Sequence, residues 1–390
     1  MNRKIWKALG IAVCMLALAA PHAMAETITH TVTADTDFAK VVKNINASGV
    51  DDENVIELCA DITLTGNHTL KRSTTIKSKD EDRKISMNGS NAGITVTGER
   101  TVLNLGAKGY DKKLTIEGDG DAKIQAAFVT VSEGATANMY ENVTLQNRKS
   151  RGNAYVLVTG SDPVTGSKSV FNMKGGVIEG GSRAVIAKSG ATFNMSGGEI
   201  RNCRGGSGNG GGVHVYGATF VMSGGTISGC TAEIGNGGGL CAENSSTIEI
   251  SGGAISGCEV GAGGGLFVDS STVRISGGII SGCITSDTGN GGGLYANNST
   301  IKITGGRIEN NKAAHGGGVA LIGKTTFEKP ITNWTVIGNE AYATGGVGGG
   351  IKLENGSMDV SAGSNRIYNN TAGGQGADVF LYNGNASIKL

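Results

Sequence analysis

The sequence predicts an all-β solenoid, a parallel β-helix, because two glycine signals recur along the chain with an alternating segment between them. Glycine pairs followed by x-Ile recur every 22 to 28 residues, beginning at Gly175, Gly197, Gly224, Gly252, Gly277 and Gly305. Glycine triplets recur every 25 to 32 residues, beginning at Gly210, Gly237, Gly263, Gly291, Gly316 and Gly348. Periods of this length are typical of repeat architectures, in which each unit buries its apolar face against its neighbours.

Each unit contains three short segments, and the middle one alternates strictly between polar and apolar residues. It reads TIEIS at residues 247–251, TVRIS at 272–276 and TIKIT at 300–304. Alternation with β-branched residues predicts strands with one buried face. A helical repeat would need apolar spacings of three and four, which are absent. Aligning the units predicts two inward columns, Phe171, Phe193, Phe220, Ile248, Val273, Ile301 and Met173, Met195, Met222, Ile250, Ile275, Ile303.

A third column changes its chemistry along the chain. Five residues after the second glycine of each pair stand Cys203, Cys230, Cys258 and Cys283, and the column continues as Asn311, Asn339 and Asn370. Stacked amides hydrogen-bond along the axis of parallel β-stacks, and cysteine fits the same inward corner as a small apolar residue. We therefore expect a cysteine ladder that becomes an asparagine ladder. Neighbouring Cβ vectors in such a stack point poorly for a disulfide, so these thiols are predicted to stay reduced.

The N-terminal part divides into three predicted regions. Residues 1–25 combine three cations, an apolar run and a terminal Ala-Met-Ala, which predicts a signal peptide cut before Glu26. Residues 26–53 form a predicted cap, with a short amphipathic helix over 37–47 that plugs the open end of the coil stack. Residues 54–390 form the predicted β-helix, less regular in 54–170 and regular and glycine-rich in 171–390. This length gives roughly a dozen coils, a rod about 60 Å long at the strand spacing of about 4.8 Å.

The repeat GGG-[VL]…T-φ-x-φ-S-GG-x-I-x-x-[CN] resembles right-handed parallel β-helix proteins of the pectin-lyase-like type. Among these it is most similar to bacterial surface and adhesin-like passenger proteins, including the chlamydial polymorphic outer-membrane proteins. Their GGA[ILV] motif is matched once, by residues 252–255. The resemblance implies a right-handed, single-stranded parallel β-helix and a role at the cell surface.

Composition and charge favour neither nucleic-acid binding nor a membrane span in the mature chain. Without the three cations of residues 1–25 the chain has 31 basic and 33 acidic residues, a formal charge of −2, which gives no basic footprint for nucleic acid. No second apolar run follows the first, which is itself too short to span a bilayer. We therefore expect an exported protein, either secreted or held at the cell surface.

The sequence offers few candidates for catalysis or metal binding. The best acidic cluster is Glu117-Gly118-Asp119-Gly120-Asp121, which could bind calcium but more often forms a solvated turn. Residues Arg148, Lys149 and Arg151 predict a solvated basic loop. His214 and His315 stand beside glycine triplets with no partner at metal-ligand spacing in the sequence. We predict no catalytic, cofactor-binding or metal-binding residues, and no cofactor.

These observations predict an adhesin-like extracellular rod that recognises a host or neighbouring-cell glycan or protein without catalysis. The outward middle column of the alternating strand reads Asn194, Val221, Glu249, Arg274, Lys302, in which no two carboxylates are neighbours, so paired-acid hydrolysis has no support there. Glu249 and Arg274 are predicted to form a cross-strand charge pair. The alternative is a carbohydrate-active enzyme, a polysaccharide lyase or hydrolase, with its site on the N-terminal coils.

Overall fold

The chain folds into a β-solenoid of parallel sheets, as its repeats predict. The computed structural model describes residues 26–118, 124–147, 154–206, 208–382 and 386–389, so the predicted signal peptide at 1–25 lies outside the described residues. Within these ranges three sheets contain 12 strands each, and every strand of a sheet comes from the next coil of the chain. All strand-to-strand pairings are parallel, as in the pair formed by Thr247–Ile250 and Thr272–Ile275.

Each coil contributes one strand to each of the three main sheets. The first sheet contains Thr27–Val32, Glu53–Leu58, Thr74–Ser78, Val102–Leu105, Thr136–Met139, Val170–Met173, Thr192–Met195, Thr219–Met222, Thr247–Ile250, Thr272–Ile275, Thr300–Ile303 and Thr326–Phe327. The second contains Asn67–Leu70, Gly93–Thr97, Val129–Ser132, Ala154–Thr159, Arg183–Lys188, Val213–Tyr216, Leu240–Glu243, Leu266–Asp269, Leu294–Asn297, Val319–Ile322, Ile351–Leu353 and Val379–Leu381.

The third sheet and two minor sheets complete the coils. The third contains Ile62–Leu64, Arg83–Met87, Leu114–Gly118, Val143–Gln146, Val177–Glu179, Glu199–Arg201, Thr226–Ser228, Ala254–Ser256, Ile279–Ser281, Arg307–Glu309, Thr335–Ile337 and Arg366–Tyr368. A short sheet follows it in the later coils, with strands Glu259–Val260, Ile284–Thr285, Lys312–Ala313, Glu340–Ala341 and Thr371–Ala372. The last pair is Gly356–Asp359 with Ala386–Lys389.

The inward columns lie in register, as the alignment of the repeats predicts. Phe171, Phe193 and Phe220 are Cα partners on successive strands, and all three are fully buried. Their ring centroids lie 5.2 and 5.1 Å apart. In the later coils β-branched residues take the same place, with Val273 opposite Ile301. The core is therefore a set of parallel columns, each filled by side chains of similar shape.

The polar column also continues as predicted, from thiols to amides. The Asn311 Nδ2 donates to Asn339 Oδ1 at 3.0 Å, and Asn339 Nδ2 donates to Asn370 Oδ1 at 2.9 Å. The two columns join where the backbone N–H of Cys283 donates to Asn311 Oδ1 at 2.9 Å. In the described chain the cysteines are unpaired, and the hydrogen bond with Cys203, followed by burial, raises the pKa of the Cys230 thiol. The inward position of the cysteine column is confirmed, and the reduced state of its thiols stays a prediction.

Glycine occupies the corners because neighbouring coils approach too closely there for a side chain. Gly237 has a φ of 71°, a left-handed conformation that glycine adopts without strain. At Gly239 a Cβ would lie 2.7 Å from the carbonyl oxygen of Gly265 in the next coil. Substitution at this corner would therefore push the two coils apart.

The N-terminal end is closed by a strand and a helix. The strand Thr27–Val32 adds to the first sheet beside Glu53–Leu58. The helix Phe38–Ala47 begins after Asp37, whose Oδ1 accepts a hydrogen bond from the Lys40 backbone N–H at 3.2 Å, the usual N-cap arrangement. It buries Phe38, Val42 and Ile45. The predicted amphipathic helix is thus present.

The prediction that Glu249 and Arg274 form a charge pair is wrong, because Arg274 pairs with a different carboxylate. The two residues are opposite each other on adjacent strands. However, the Arg274 Nη2 lies 3.5 Å from Glu328 Oε1, and Lys302 Nζ lies 3.6 Å from the other oxygen of Glu328. The Arg274 side chain is exposed and flexible, so it pairs with the carboxylate that Lys302 also contacts and not with Glu249 on the adjacent strand.

The alternation gives a sharp test at two consecutive residues. Ile275 is 4% exposed, whereas the Arg274 side chain is 42% exposed. Ile275→Asn should cost about 3–5 kcal/mol of unfolding free energy, since it loses apolar burial and buries an amide without partners. Arg274→Asn removes only an exposed ion pair and should cost less than about 1 kcal/mol. Denaturant titrations measure both, and equal losses would contradict the register.

The state of the cysteines is checked by thiol mapping. We expect a charged maleimide to modify native protein only at the half-buried Cys59, because the other five cysteines of the described chain are buried. In denaturant without reductant all six should react. Mass mapping that found Cys230 linked to Cys258 would contradict the reduced column.

Candidate functional site

The second sheet carries a varied outward row of side chains in the regular coils. Ile186, His214, Cys241, Phe267 and Tyr295 are Cα partners on five successive strands. Their strand neighbours on either side point into the core and are buried, so this row points outward. Inward rows repeat one kind of side chain, whereas this row changes at every step. We call it the outward row.

One end of the outward row carries a polar cluster on two adjacent strands. The His214 Nε2 lies 3.0 Å from Glu243 Oε2. The Cys241 thiol faces the same space, because Cys241 and Glu243 are two residues apart on one strand. The imidazole nitrogen, the sulfur and a carboxylate oxygen all lie within 4.8 Å of one another. We call these three residues the His–Cys–Glu cluster.

A neighbouring loop holds the cluster in place. The Asn209 side chain donates to both oxygens of Glu243, at 2.9 and 3.0 Å. The backbone carbonyl of Asn209 in turn accepts a hydrogen bond from Arg183 Nε at 2.8 Å. Arg183 is 8% exposed, and burial lowers the pKa of its guanidinium from the ordinary value. The loop and the strand are therefore locked together through Asn209.

The titratable groups of the cluster shift in opposite directions. The hydrogen bond from His214 and those from Asn209 lower the pKa of the Glu243 carboxyl, against the effect of burial. Burial, followed by the negative charge of Glu243, raises the pKa of the Cys241 thiol well above its ordinary value. At neutral pH the cluster therefore combines an ionised carboxylate with a protonated thiol.

Two neighbouring residues of the outward row, Phe267 and Tyr295, are aromatic, and we call them the aromatic step. The rings of Phe267 and Tyr295 stack with their centroids 4.9 Å apart and their planes 2° from parallel. Beside them, Asn297 Nδ2 donates to Asp269 Oδ1 at 2.7 Å. Phe267 is mostly buried and Tyr295 half-buried, so one ring supports the other. The two stacked rings thus lie next to a carboxylate and an amide, and Tyr295 is the more exposed ring.

The register of the outward row continues beyond Tyr295 through Ala320 to the cation Lys352. Lys352 Nζ donates to Asn290 Oδ1 at 3.2 Å and lies 5.5 Å from the centre of the Tyr382 ring. Burial lowers the pKa of Lys352 from its ordinary value. His315 accepts a hydrogen bond at Nδ1 from the Val347 backbone N–H, 3.3 Å away. The outward row therefore changes from polar to aromatic to cationic along the rod.

The structure describes only some of the candidate site residues that the sequence suggested. Glu117 is bound to Lys84 Nζ at 3.3 Å and to Gln146 Nε2 at 2.7 Å. Asp119 and Asp121 lie outside the described residues, as do the basic residues Arg148, Lys149 and Arg151. Calcium binding by the acidic stretch therefore stays an open question, while Glu117 itself serves a local ion pair.

The expectation that His214 stands alone is wrong, since it bonds Glu243 at 3.0 Å. The sequence did contain a signal for the cluster. His214 and Cys241 are each the second residue after a glycine triplet, so aligning the triplets places them side by side. The same alignment places Glu243 beside Asp269, because the preceding residues Ala242 and Val268 are strand partners. Neighbouring carboxylates are therefore present on the second sheet, although the outward column of the first sheet has none.

Comparison of the chain with models of known families, with curated proteins and with solved structures found no match. The parallel β-helix is shown by the strand pairing itself, whereas the resemblance to pectin-lyase-like and polymorphic outer-membrane proteins stays a prediction. Among the described residues, no helix has the length and apolar character needed to cross a membrane.

The electrostatics of the cluster predict a response to one substitution. His214→Ala should raise the pKa of Glu243, because the hydrogen bond from His214 is the largest cause of its depression. The depressed pKa means that the Glu243 carboxylate stabilises the fold above its unfolded pKa, and this contribution is lost as the pH falls through the folded value. A carbon-detected titration of labelled glutamates measures the shift, with His315→Ala as the matched control. An unchanged Glu243 titration in His214→Ala would contradict the assignment.

Proposed function

We propose that the protein is an exported recognition rod, secreted or held at the cell surface, that binds a polysaccharide along the outward row without cleaving it. The observation that carries the proposal is the Phe267–Tyr295 stack beside the Asp269–Asn297 pair. Aromatic faces provide apolar contact area at low conformational cost. A few fixed polar groups beside such a surface give a ligand its orientation, and the C–H faces and hydroxyl groups of a sugar chain match both.

The form of the surface favours a polymer over a small molecule. The outward row runs along the solenoid with its residues placed at the spacing of the strands, and Ile186, His214 and Tyr295 are its partly exposed members. Solenoids present extended surfaces of this kind for binding. The predicted signal peptide at residues 1–25 supports export, which would bring the rod to glycans outside the cell.

The state of the carboxylates supports binding over hydrolysis. A general acid for glycoside cleavage needs a raised pKa, but the pKa of Glu243 is lowered by its hydrogen bonds with His214 and Asn209. Asp269, the adjacent carboxylate, accepts a hydrogen bond from Asn297 at 2.7 Å. Both carboxylates are thus engaged with donors in the chain, and neither is set up to protonate a leaving group.

The alternative, a carbohydrate-active enzyme acting on the N-terminal coils, has one observation in its favour. A shallow depression of about 290 Å³ on the outer side of the first sheet is lined by Glu53, Lys77, Lys108 and Tyr140, among others. Its cation Lys77 is already paired with Glu57 at 3.2 Å and lies 5.0 Å from the centre of the Tyr110 ring. This pairing leaves the depression with less free chemistry than the outward row offers for binding.

The proposal is tested with a glycan array probed with residues 26–390, followed by calorimetry on the glycans that bind. Tyr295→Ala should weaken binding about tenfold, the effect of losing one aromatic contact of about 1.5 kcal/mol. Tyr368→Ala is the matched control, because Tyr368 is an exposed tyrosine on the third sheet and should leave binding unchanged.

Equal losses in both variants, or no bound glycan, would contradict the binding row. The same glycans are incubated with the protein and assayed for new reducing ends and for unsaturated products. Cleavage that is abolished by Lys77→Ala would favour the enzyme on the N-terminal coils. Cleavage of any bound glycan by the unaltered protein would overturn the non-catalytic rod.

A further inference from the structure

We propose that His214, Cys241 and Glu243 bind one divalent transition-metal ion of the Zn²⁺ class. The three potential ligand atoms lie within 4.8 Å of one another. Among the described residues, this is the one group of three histidine, cysteine or carboxylate side chains gathered in this way. The proposal is independent of glycan binding, because none of the three ligands belongs to the Phe267–Tyr295 stack.

The β-framework sets the ligand spacing. His214 and Cys241 are Cα partners on adjacent parallel strands, and Glu243 lies two residues beyond Cys241, on the same side of its strand. With Zn–N and Zn–O distances of about 2.0–2.1 Å and Zn–S of about 2.3 Å, the edges of a tetrahedral site are about 3.3–3.6 Å long. The His214–Glu243 separation is 3.0 Å. Since all three atoms lie within 4.8 Å of one another, each separation differs from these edge lengths by at most about 1.5 Å.

The donor set selects the kind of ion. Imidazole nitrogen, thiolate sulfur and a carboxylate oxygen together suit Zn²⁺ and its neighbours in the transition series. Ca²⁺ and Mg²⁺ prefer sets made only of oxygen. Three protein ligands leave a fourth position for water or for an oxygen of a bound molecule. His214 and Glu243 are partly exposed while Cys241 is buried, so an ion would enter from the outer side.

Charge balance favours the ion as well. A thiolate and a carboxylate together neutralise one divalent cation. Two further charges, Arg183 and Asp269, act on Cys241 in opposite directions. Without an ion, the pKa of Cys241 is raised by burial and by Glu243, and binding must therefore release the thiol proton to solvent.

The surrounding residues supply an outer layer and limit the site to one ion. Asn209 donates to Glu243 at 2.9 Å, the type of hydrogen bond that orients a ligating carboxylate. The row continues with Ile186 on one side and Phe267 on the other. Neither of these side chains can ligate a metal. Asp269, the carboxylate beside Glu243, accepts a hydrogen bond from Asn297, so we place the three ligands on two strands.

The experiment titrates metal-stripped, reduced protein comprising residues 26–390 with Co²⁺ and records the thiolate-to-cobalt charge-transfer band. Zn²⁺ binding is measured in parallel by equilibrium dialysis. We expect one equivalent of either ion. Cys241→Ser should abolish the charge-transfer band, and His214→Ala and Glu243→Gln should weaken binding more than about 100-fold, beyond the roughly 10–100-fold loss typical of an outer-layer partner such as Asn209.

The matched controls are Cys258→Ser in the interior column and His315→Ala beside a different glycine triplet. Both should retain the band and the stoichiometry. Circular dichroism checks folding, and if Cys241→Ser does not fold, the partly exposed His214 and Glu243 variants decide the question. No band in the unaltered protein at saturating Co²⁺, or a band that survives Cys241→Ser and is lost in Cys258→Ser, would overturn the proposal.

Discussion

The structure depends on backbone hydrogen bonds that join each coil to the next in fixed register. The same bond recurs at equivalent places: Leu240 N–H donates to Gly265, Leu266 to Gly293 and Leu294 to Gly318, each at 2.9 Å. Because a strand's backbone groups are satisfied by the coils on either side, a residue's position within its coil decides which column it joins. The composition of the inward columns follows from that assignment.

Inside the solenoid, a column of buried polar side chains is stable only if it continues without interruption from coil to coil. A buried amide without partners costs about 1–3 kcal/mol, so each asparagine must find its donors and acceptors in the coils above and below. The column begins at the backbone N–H of Cys283. It ends at Asn370, whose Nδ2 donates to Asp378 Oδ1 at 2.9 Å. The aspartate therefore terminates the amide ladder in place of a further coil.

The sequence patterns predicted those features of the structure that depend only on the register of the strands. Alternation and the glycine period were sufficient for the inward columns and for the passage from Cys283 to Asn311, and the helical spacing of apolar residues within 37–47 was sufficient for the capping helix. They did not predict the side-chain partners on the outer faces, where Arg274 forms its ion pair with Glu328 and not with Glu249. The His–Cys–Glu cluster was missed for a related reason: its members are 27 and 2 residues apart in the chain, and their chemistry appears only when the coils are superimposed on their glycine triplets.

The contrast between the inner and outer columns explains where function can develop in such a chain. An inward residue is constrained by its neighbours in two coils, so similar side chains repeat. An outward residue is constrained only in position, so the outward row is free to change from His214 to Cys241 to Phe267. Because Cys241 and Phe267 are partners on adjacent strands, an ion held by the cluster would lie one strand from the aromatic step. The two proposed sites would therefore be neighbours on one face of the rod, each formed by outward residues that the fold itself does not constrain.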